Sequence, residues 1–301
     1  MIINNIFPEK KFEFKTVFTA GVFDGLHLGH QKLLNQMNCI AAEKSLKRVV
    51  LSFTGNPKIA SAENKNAPHE FKLLQDDIKI KKMEEWADIL FLIDFDKNFS
   101  ELTPEDFIDE ILLKKLNVSH IIAGYDFKFG KNKKGGIELL KNKFSDRVIQ
   151  IPPLEIDGEI VSSSLIRKYI NEKNIDKINR LLGRRFSITG VVQHGKRLAS
   201  TLGFPTVNLA YPSYIADLSG IFESAIIIAG KEYKSISHFG VVPTFNSAER
   251  IIETYVFNFN SDIYGERVTV SPLKFLRPII KFNSIDELKK QIIIDIGKIE
   301  K

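Results

Sequence analysis

The residues best placed to do chemistry are two histidines in a glycine-rich segment, GVFDGLHLGH at 21–30. An apolar run at 16–20 precedes it and an apolar-periodic run at 33–42 follows, so a strand is predicted to give way to a helix here. Free amide groups and the positive end of the helix dipole favour a phosphate at such a junction. His27 and His30 share one helical face and can donate to the same phosphoryl oxygens. The predicted chemistry is attack on a nucleotide phosphate; the alternative is that the histidines only cap the helix.

Two other segments could contact a phosphate-bearing ligand. The hydroxyls of SSSLIR at 162–167 are placed to cap a helix whose first turn carries Arg167, which would form a second phosphate cradle. A serine-capped surface helix with an incidental arginine is the alternative. The segment AGYDFKFGK at 123–131 follows a predicted strand and leads into KKGG at 133–136, a basic loop that could close over a nucleotide around Asp126. A plain solvated loop is the alternative here.

The elements that would position these residues alternate along the first part of the chain. Strands are predicted at 16–20, 49–53, 89–93, 121–123 and 148–151, and helices at 31–44, 76–86, 103–113 and 137–144. Such alternation predicts a doubly wound α/β domain, a parallel sheet covered on both faces. Ligands of these folds bind beyond the carboxyl ends of the strands, which is where the histidine segment falls.

The pattern changes after Gly183, which follows a predicted helix at 175–182 and is typical of a helix stop. Strands are predicted at 186–192, 221–229, 235–241, 251–259 and 267–273, with turns at Ala229-Gly230 and Tyr264-Gly265. A small closed β-barrel is expected, with a last helix at 284–296 whose N-cap is Ser284. We therefore predict two domains, 1–183 and 184–301.

Composition indicates a globular protein that works in a reducing compartment. The chain has 301 residues, 44% of them hydrophobic and 27% charged, and a formal net charge of +6, which favours anionic substrates over nucleic acid because the lysines are scattered. The single cysteine, Cys39, cannot form an internal disulfide and is predicted to be buried in the first helix. No signal peptide or membrane-spanning stretch is recognised, so a cytoplasmic location is expected.

Four motifs together resemble those of the bifunctional riboflavin kinase/FAD synthetases of bacteria. They are G-x-F-D-G-x-H-x-G-H at 21–30, G-x-D-F-x-F-G at 124–130, S-S-S-x-I-R at 162–167 and L-G-F-P-T-x-N at 202–208. P-T-F at 243–245, D-x-Y-G at 262–265, F-L-R at 275–277, K-F at 281–282 and Q-x-x-x-D at 291–295 follow in the family's order and spacing. The resemblance thus covers nearly the whole chain.

This resemblance implies a Rossmann-like nucleotidyltransferase domain followed by a six-stranded antiparallel β-barrel riboflavin kinase domain with a C-terminal helix. The barrel would phosphorylate riboflavin to FMN, and the first domain would adenylylate FMN to FAD and release pyrophosphate. ATP would be the co-substrate of both steps and Mg²⁺ their cofactor. Riboflavin, FMN, FAD and ATP are the implied partners of a monomer or weak homo-oligomer, with no membrane or nucleic-acid partner expected.

The resemblance also implies roles for individual residues. His27 and His30 would stabilise charge during adenylyl transfer, while Arg167 with Ser163 and Ser164 would hold the departing pyrophosphate. Further nucleotide contacts are implied for Gly21, Phe23, Asp24, Gly29, Asp126, Gly195, Gly203 and Pro205. Thr206 and Asn208 match the Mg²⁺ ligands, Glu253 matches the general base of the kinase step, and Phe127 and Arg277 match flavin contacts. For Glu253, a solvated carboxylate on a barrel strand is the alternative.

Departures from the family's pattern motivate other hypotheses. Leu198-Ala199-Ser200 replaces an Arg-Gly-Arg run, and Gly55-Asn56-Pro57 replaces Pro-His-Pro. The carboxylate after Leu276-Arg277 is absent, since Pro278 and Ile279 follow, and His238 stands where the family has asparagine. The alternatives are an FAD synthetase with a weak or inactive kinase domain, a non-catalytic flavin-responsive regulator, and a nucleotidyltransferase for another small phosphate such as a cytidylyl acceptor.

Overall fold

A computed structural model describes residues 1–54, 71–94, 96–195, 203–212, 218–241 and 250–299. The sequence features at 55–57, 198–200, 202 and 243–245 lie outside these residues. Contacts between Cα atoms divide the chain into two compact units, Met1–Glu70 with Leu74–Ser163, and Phe71–Leu73 with Ser164–Lys301. The boundary at 183 stays a prediction about where the functional domains meet.

The first unit is built on a six-stranded parallel sheet. Its strands are β1 (Ile2–Asn4), β2 (Thr16–Ala20), β3 (Lys47–Phe53), β4 (Ile89–Ile93), β5 (Val118–Gly124) and β6 (Val148–Ile151). They lie in the order β1-β4-β3-β2-β5-β6, with Phe18 of β2 paired to Val49 of β3 and Ile121 of β5. A separate hairpin joins β7 (Glu155–Ile156) to β8 (Glu159–Ile160). The sequence did not predict β1 or this hairpin.

Helices cover both faces of this sheet. They are α1 (Leu28–Lys44), α2 (Asp76–Met83), α3 (Lys97–Ser100), α4 (Pro104–Asp106), which continues as the π-helix Phe107–Lys115, and α5 (Ile137–Phe144). Val17 of β2 packs with Leu34 of α1 and Met83 of α2, whereas its neighbour Phe18 packs on the opposite face with Phe107 and with Leu140 of α5. Alternate residues of β2 thus pack into two hydrophobic cores, one on each face of the sheet. The predicted doubly wound α/β fold is confirmed.

One prediction about α1 is wrong, because Cys39 is exposed rather than buried. The buried side chains of α1 are Leu33, Leu34, Met37, Ile40 and Ala41. Their spacing of three and four residues defines the stripe that faces the sheet, and position 39 lies outside that stripe. A cysteine within an apolar-periodic segment is therefore not buried unless it falls on the periodic positions themselves.

The second unit contains a closed six-stranded barrel, as predicted. Its strands are β9 (Ile188–Gln193), β10 (Thr206–Ala210), β11 (Gly220–Ile228), β12 (Lys231–Val241), β13 (Arg250–Val256) and β14 (Arg267–Arg277), in the closed order β10-β13-β12-β11-β14-β9. Every pairing in the barrel is antiparallel. The predicted turn between β11 and β12 has positive φ at both Ala229 (47°) and Gly230 (80°), the backbone that a two-residue hairpin requires.

The described residues of the second part of the chain include three helices, α6 (Ser163–Asn171), α7 (Ile175–Leu182) and α8 (Ile285–Gly297). Gly183 ends α7 with a φ of 68°, and the Ser284 side chain caps α8 by accepting the backbone N–H of Glu287 at 3.2 Å. Gly183 as a helix end and Ser284 as a helix start were both predicted. Among the described helices, none combines the length and apolar character that crossing a membrane requires.

Candidate active sites

The histidine segment forms a tight turn between β2 and α1. Phe23 (φ 50°), Gly25 (79°) and Leu26 (43°) all adopt positive φ, and residues Asp24–Leu26 make a short 3₁₀ turn. Positive φ is costly for phenylalanine and leucine, and such strain persists where surrounding packing enforces it. Both side chains are almost fully buried in the core below the turn. Core packing therefore fixes the backbone that presents the two histidines.

The two histidines are stacked on each other at the start of α1. Their ring centroids are 3.6 Å apart and the planes are inclined by 17°. His27 is the N-cap residue, and its Nδ1 accepts the backbone N–H of His30 at 3.3 Å. In a neutral ring whose Nδ1 accepts, the proton is on Nε2, so His27 offers an Nε2–H donor. The capping alternative is thus part of the arrangement, and the capping ring also stacks on His30.

Gly29 allows this stacking. A Cβ atom at position 29 would lie 3.2 Å from both Cε1 and Nδ1 of the His27 ring, and 3.4 Å from the carbonyl oxygen of Val161. A side chain there would push the ring away from His30. The glycine at this position is therefore required by close approach of the imidazole rather than by a special backbone angle.

His30 is held as a neutral imidazole. Its Nδ1 is buried and has no hydrogen-bond partner among the residues that the structure describes, and its ring meets Phe23 edge-on at 5.3 Å. Burial lowers the pKa of His30 well below the ordinary 6.5, and the charges of His27 and Lys79 lower it further. A neutral ring can donate from one nitrogen and accept at the other, so His30 can orient or receive a proton near a phosphate.

Sequence analysis missed Lys79, a buried cation near this turn. Its Nζ lies 3.1 Å from the carbonyl oxygen of Phe53, 3.4 Å from Oγ of Ser52 and 3.8 Å from Oδ1 of Asp76. The Ser52 hydroxyl in turn donates to the carbonyl oxygen of Val22 at 3.2 Å. Lys79 thus ties the carboxyl end of β3 to the histidine turn. Helical lysines are usually solvated, so the sequence carried no signal for this one.

Ser163 also meets the histidine turn, because its hydroxyl donates to the carbonyl oxygen of Asp24 at 2.9 Å. Ser164 and Arg167 belong by their contacts to the second unit, where Nε of Arg167 donates to the carbonyl oxygen of Phe71 at 2.8 Å. The predicted phosphate cradle therefore has one member whose contact with the turn is observed. The other two stay predictions.

Asp126 and Phe127 lie just beyond the carboxyl end of β5. The amide of Phe127 donates to the carbonyl oxygen of Gly124 at 3.2 Å, forming the turn that exposes Asp126. Phe127 is half-buried and stacks on Phe129 with centroids 5.6 Å apart. Both residues are thus at the edge of the sheet where ligands of this fold class bind.

On the barrel, Thr206, Asn208 and Glu253 lie together. Asn208 of β10 pairs in register with Glu253 of β13. The Thr206 hydroxyl donates to Oε1 of Glu253 at 3.3 Å, and Nδ2 of Asn208 donates to the carbonyl oxygen of Thr206 at 3.2 Å. Burial raises the pKa of Glu253 and the hydrogen bond from Thr206 opposes that rise. The carboxylate is therefore partly desolvated. A raised pKa makes a carboxylate a better general base.

The residues around this group are consistent with a magnesium site. The hydroxyl of Thr206 and the amide oxygen of Asn208 are hard donors of the kind that Mg²⁺ prefers, so the side chains present fit that ion. No cluster of three His, Cys, Asp or Glu residues suited to a metal occurs within the described ranges. The candidate site thus depends on uncharged oxygen donors and on substrate phosphates.

Gly195 packs directly on the Asn208 side chain. A Cβ atom at position 195 would lie 2.5 Å from Cγ and Nδ2 of Asn208, so only glycine fits there. Gly203 adopts a φ of +91° in open space, and Pro205 next to Thr206 is exposed. The predicted nucleotide-binding glycines are therefore of two kinds, one required by close approach and one by backbone conformation.

Arg277, a predicted flavin contact, forms a buried ion pair with α8. Its Nε and Nη2 each lie 2.7 Å from Oδ2 of Asp295, and Nη1 donates to the carbonyl oxygen of Pro278 at 3.0 Å. Gln291 donates to the other oxygen of Asp295 at 2.9 Å. Arg277 thus joins the end of β14 to the helix, and its role towards flavin stays a prediction.

Two family models match this chain in succession. The FAD synthetase model covers residues 9–165 and the riboflavin kinase model covers residues 182–301. Proteins described as bifunctional riboflavin kinase/FMN adenylyltransferase are similar along nearly the whole length. The relative from Buchnera aphidicola (subsp. Schizaphis graminum) is 36% identical over 100% of this chain and 98% of its own. Those from Bacillus subtilis and Escherichia coli K12 are 33% and 30% identical, over 94% and 93% of this chain and 91% and 90% of theirs.

A solved structure from Streptococcus pneumoniae, described as a macrolide-efflux protein, shares the fold with a TM-score of 0.86 at 34% identity, over 99% of this chain and 98% of that chain. Its description as an efflux protein has no counterpart in either family model or in the three relatives named above. The chain belongs to the bifunctional riboflavin kinase/FMN adenylyltransferase family and uses ATP to convert riboflavin to FMN and FMN to FAD.

Proposed function

We propose that the two reactions occur at separate sites, with residues 1–183 carrying adenylyl transfer and residues 184–301 carrying riboflavin phosphorylation. The boundaries of the two family matches support this division. The observation that carries the assignment of the first site is the stacked pair of His27 and His30 at the start of α1. The group formed by Thr206, Asn208 and Glu253 supports the assignment of the second.

In adenylyl transfer, a phosphate oxygen of FMN attacks the α-phosphorus of ATP as the bond to pyrophosphate breaks. Negative charge develops on the oxygens around that phosphorus. The imidazole rings of His27 and His30, at the positive end of the α1 dipole, donate hydrogen bonds to these oxygens. Arg167 and Ser164 hold the departing pyrophosphate, Ser163 fixes the turn through Asp24, and Asp126 and Phe127 line the ligand side of the sheet.

In the kinase step, Glu253 accepts the proton of the terminal hydroxyl of riboflavin as that oxygen attacks the γ-phosphorus of ATP. Thr206 orients the carboxylate through its hydrogen bond to Oε1. Mg²⁺ held by Thr206 and Asn208 would neutralise charge on the ATP phosphates. Gly195, Gly203 and Pro205 shape the approach to the nucleotide, and Arg277 contributes to the flavin side.

We further propose a cytoplasmic protein that acts as a monomer or weak homo-oligomer, with no membrane or nucleic-acid partner. The scattered lysines and the single cysteine in the sequence support this setting.

Two variants test the division of labour. His30→Ala should lose FAD formation from FMN while still making FMN from riboflavin, and Glu253→Gln should show the reverse. Neither variant alone makes FAD from riboflavin, but a mixture of the two should, because FMN released by one protein is used by the other. Loss of both activities in either variant, with normal folding, would overturn the assignment of separate sites.

A further inference from the structure

A row of in-register residues crosses the barrel beside the proposed kinase site. Asn208 of β10 pairs with Glu253 of β13, which pairs with His238 of β12. His238 pairs with Ile221 of β11, and Ile221 pairs with Arg277 of β14. Side chains directly opposite each other on antiparallel strands lie on the same face. His238 therefore shares a face with the proposed base and with a proposed magnesium ligand.

This row is on the outer face of the barrel. The alternate residues of β13, Ile252, Thr254 and Val256, are buried, and Thr254 accepts or donates a hydrogen bond with Ser237 at 2.8 Å within the interior. Glu253 and His238 are only half-buried. Glu253 and His238 therefore face away from the interior of the barrel.

The His238 ring has one nitrogen whose hydrogen-bonding capacity is unused. Its Nδ1 is buried, and no described residue offers it a hydrogen bond. Burial and then the charge of Arg277 lower the pKa of His238 to about 4, while a hydrogen bond with the backbone of Val241 acts in the opposite direction. Because Nδ1 has no partner, the contact with Val241 is made by Nε2. If the Nε2 proton is engaged by Val241, Nδ1 is an acceptor that no described residue uses.

A buried acceptor without a donor destabilises a protein, and one beside a substrate site is satisfied when a ligand brings the donor. Riboflavin carries a chain of hydroxyl groups that ends at the oxygen to be phosphorylated. If Glu253 accepts the proton of the terminal hydroxyl, the neighbouring hydroxyls of the chain lie within reach of the next residue in the row. The row pairs Glu253 directly with His238.

We propose that Nδ1 of His238 accepts a hydrogen bond from a hydroxyl of the riboflavin side chain and so positions the terminal hydroxyl for Glu253. This inference rests on the proposed role of Glu253 and adds a substrate-binding residue to it. An asparagine at this position would offer the same chemistry. The carbonyl oxygen of an asparagine is also an acceptor, which explains how either residue can serve.

The test compares His238→Leu, which removes the acceptor, with His238→Asn, which restores one. We expect His238→Leu to raise KM for riboflavin about tenfold, the effect of one lost hydrogen bond, with KM for ATP unchanged. Binding of lumiflavin, which has the flavin ring but lacks the hydroxyl chain, should be unaffected. His238→Asn should recover most of the affinity for riboflavin. An unchanged KM for ATP in the kinase reaction and unchanged lumiflavin binding show that the barrel of the leucine variant is folded.

An unchanged KM for riboflavin, a rise in KM for ATP instead, or an equal loss of lumiflavin binding would each overturn the proposal. Glu253→Gln, measured in parallel, separates the two claims. Full kinase activity of that variant would refute the role of Glu253 as general base, and the His238→Leu result would then be judged by itself. Should His238→Leu fail to fold, ¹⁵N NMR of the wild-type protein decides. The Nδ1 resonance of His238 should shift on adding riboflavin and not on adding lumiflavin; no shift with riboflavin would refute the contact.

Discussion

The imidazole rings of His27 and His30 lie nearly parallel with centroids 3.6 Å apart, and Nδ1 of the first accepts the backbone N–H of the second. Two protonated rings at this distance would repel each other, so the pair cannot carry two positive charges without loss of stability. The pair places imidazole N–H groups next to the start of a helix. That arrangement suits a phosphate whose charge grows during reaction.

The first prediction concerns the pH dependence of this pair. The folded-state pKa of His30 lies below its ordinary 6.5, so the unfolded chain binds the proton more readily. The stability contributed by neutral His30 is fully present above about pH 6.5 and is lost as the pH falls towards the folded-state pKa. NMR titration should show the His30 ring still neutral at pH 6.5, and His30→Asn should reduce the loss of unfolding free energy on acidification. A midpoint at or above pH 6.5 would contradict this.

The second prediction concerns Lys79. Lys79→Met should reduce FAD formation about tenfold or more, because it removes charge-assisted hydrogen bonds at the end of β3, and it should raise the pKa of His30. Lys81→Met is the matched control, since Lys81 is exposed on the same helix. Steady-state rates and the His30 titration would be measured for both variants. Equal behaviour of the two would show that Lys79 does not act on the turn.

The third prediction tests the space beside His27. Gly29→Ala should lower FAD formation roughly tenfold, because its Cβ would displace the His27 ring by a few tenths of an ångström. Gly297→Ala serves as the control, since an added Cβ there meets nothing within 4 Å. Rates of FAD formation from FMN are compared at equal fractions of folded protein. A Gly29→Ala enzyme with wild-type activity would show that ring position is unimportant.

The fourth prediction makes the corresponding test on the barrel. Gly195→Ala should strongly reduce FMN formation, because an alanine Cβ cannot fit 2.5 Å from Cγ of Asn208 without moving that side chain. Adenylylation of supplied FMN should stay near the wild-type rate, as the change is confined to the barrel. The Mg²⁺ concentration that gives half of the remaining kinase activity should be higher than in the wild-type protein. A kinase rate equal to wild type would remove Asn208 from the proposed site.

Much of the fold could be predicted because its signals are local. The strands at 16–20, 89–93 and 148–151 and the helices at 137–144 and 175–182 have the predicted bounds, since each combines a clear apolar period with a glycine or polar stop. The three-residue edge strand β1 was missed because its side chains are mostly exposed and show no pattern. A strand of this kind is specified by its partner, β4, rather than by its own sequence.

The candidate sites were predicted less completely, because their geometry depends on long-range contacts. The sequence indicated that His27 and His30 share a helix start, but not that one ring caps the helix while stacked on the other. Lys79 could not be recognised, since its burial depends on the position of β3. The free Nδ1 of His238 likewise emerges only when β12 and β13 are paired.

The most direct test of the whole account is a chromatographic assay of the purified protein with ATP and Mg²⁺, given riboflavin in one sample and FMN in another. We predict FMN followed by FAD in the first sample and FAD in the second. FAD from FMN alone would mean that the barrel does not phosphorylate riboflavin, as in the synthetase hypothesis. The absence of FAD in both samples would contradict the account and favour the flavin-responsive regulator.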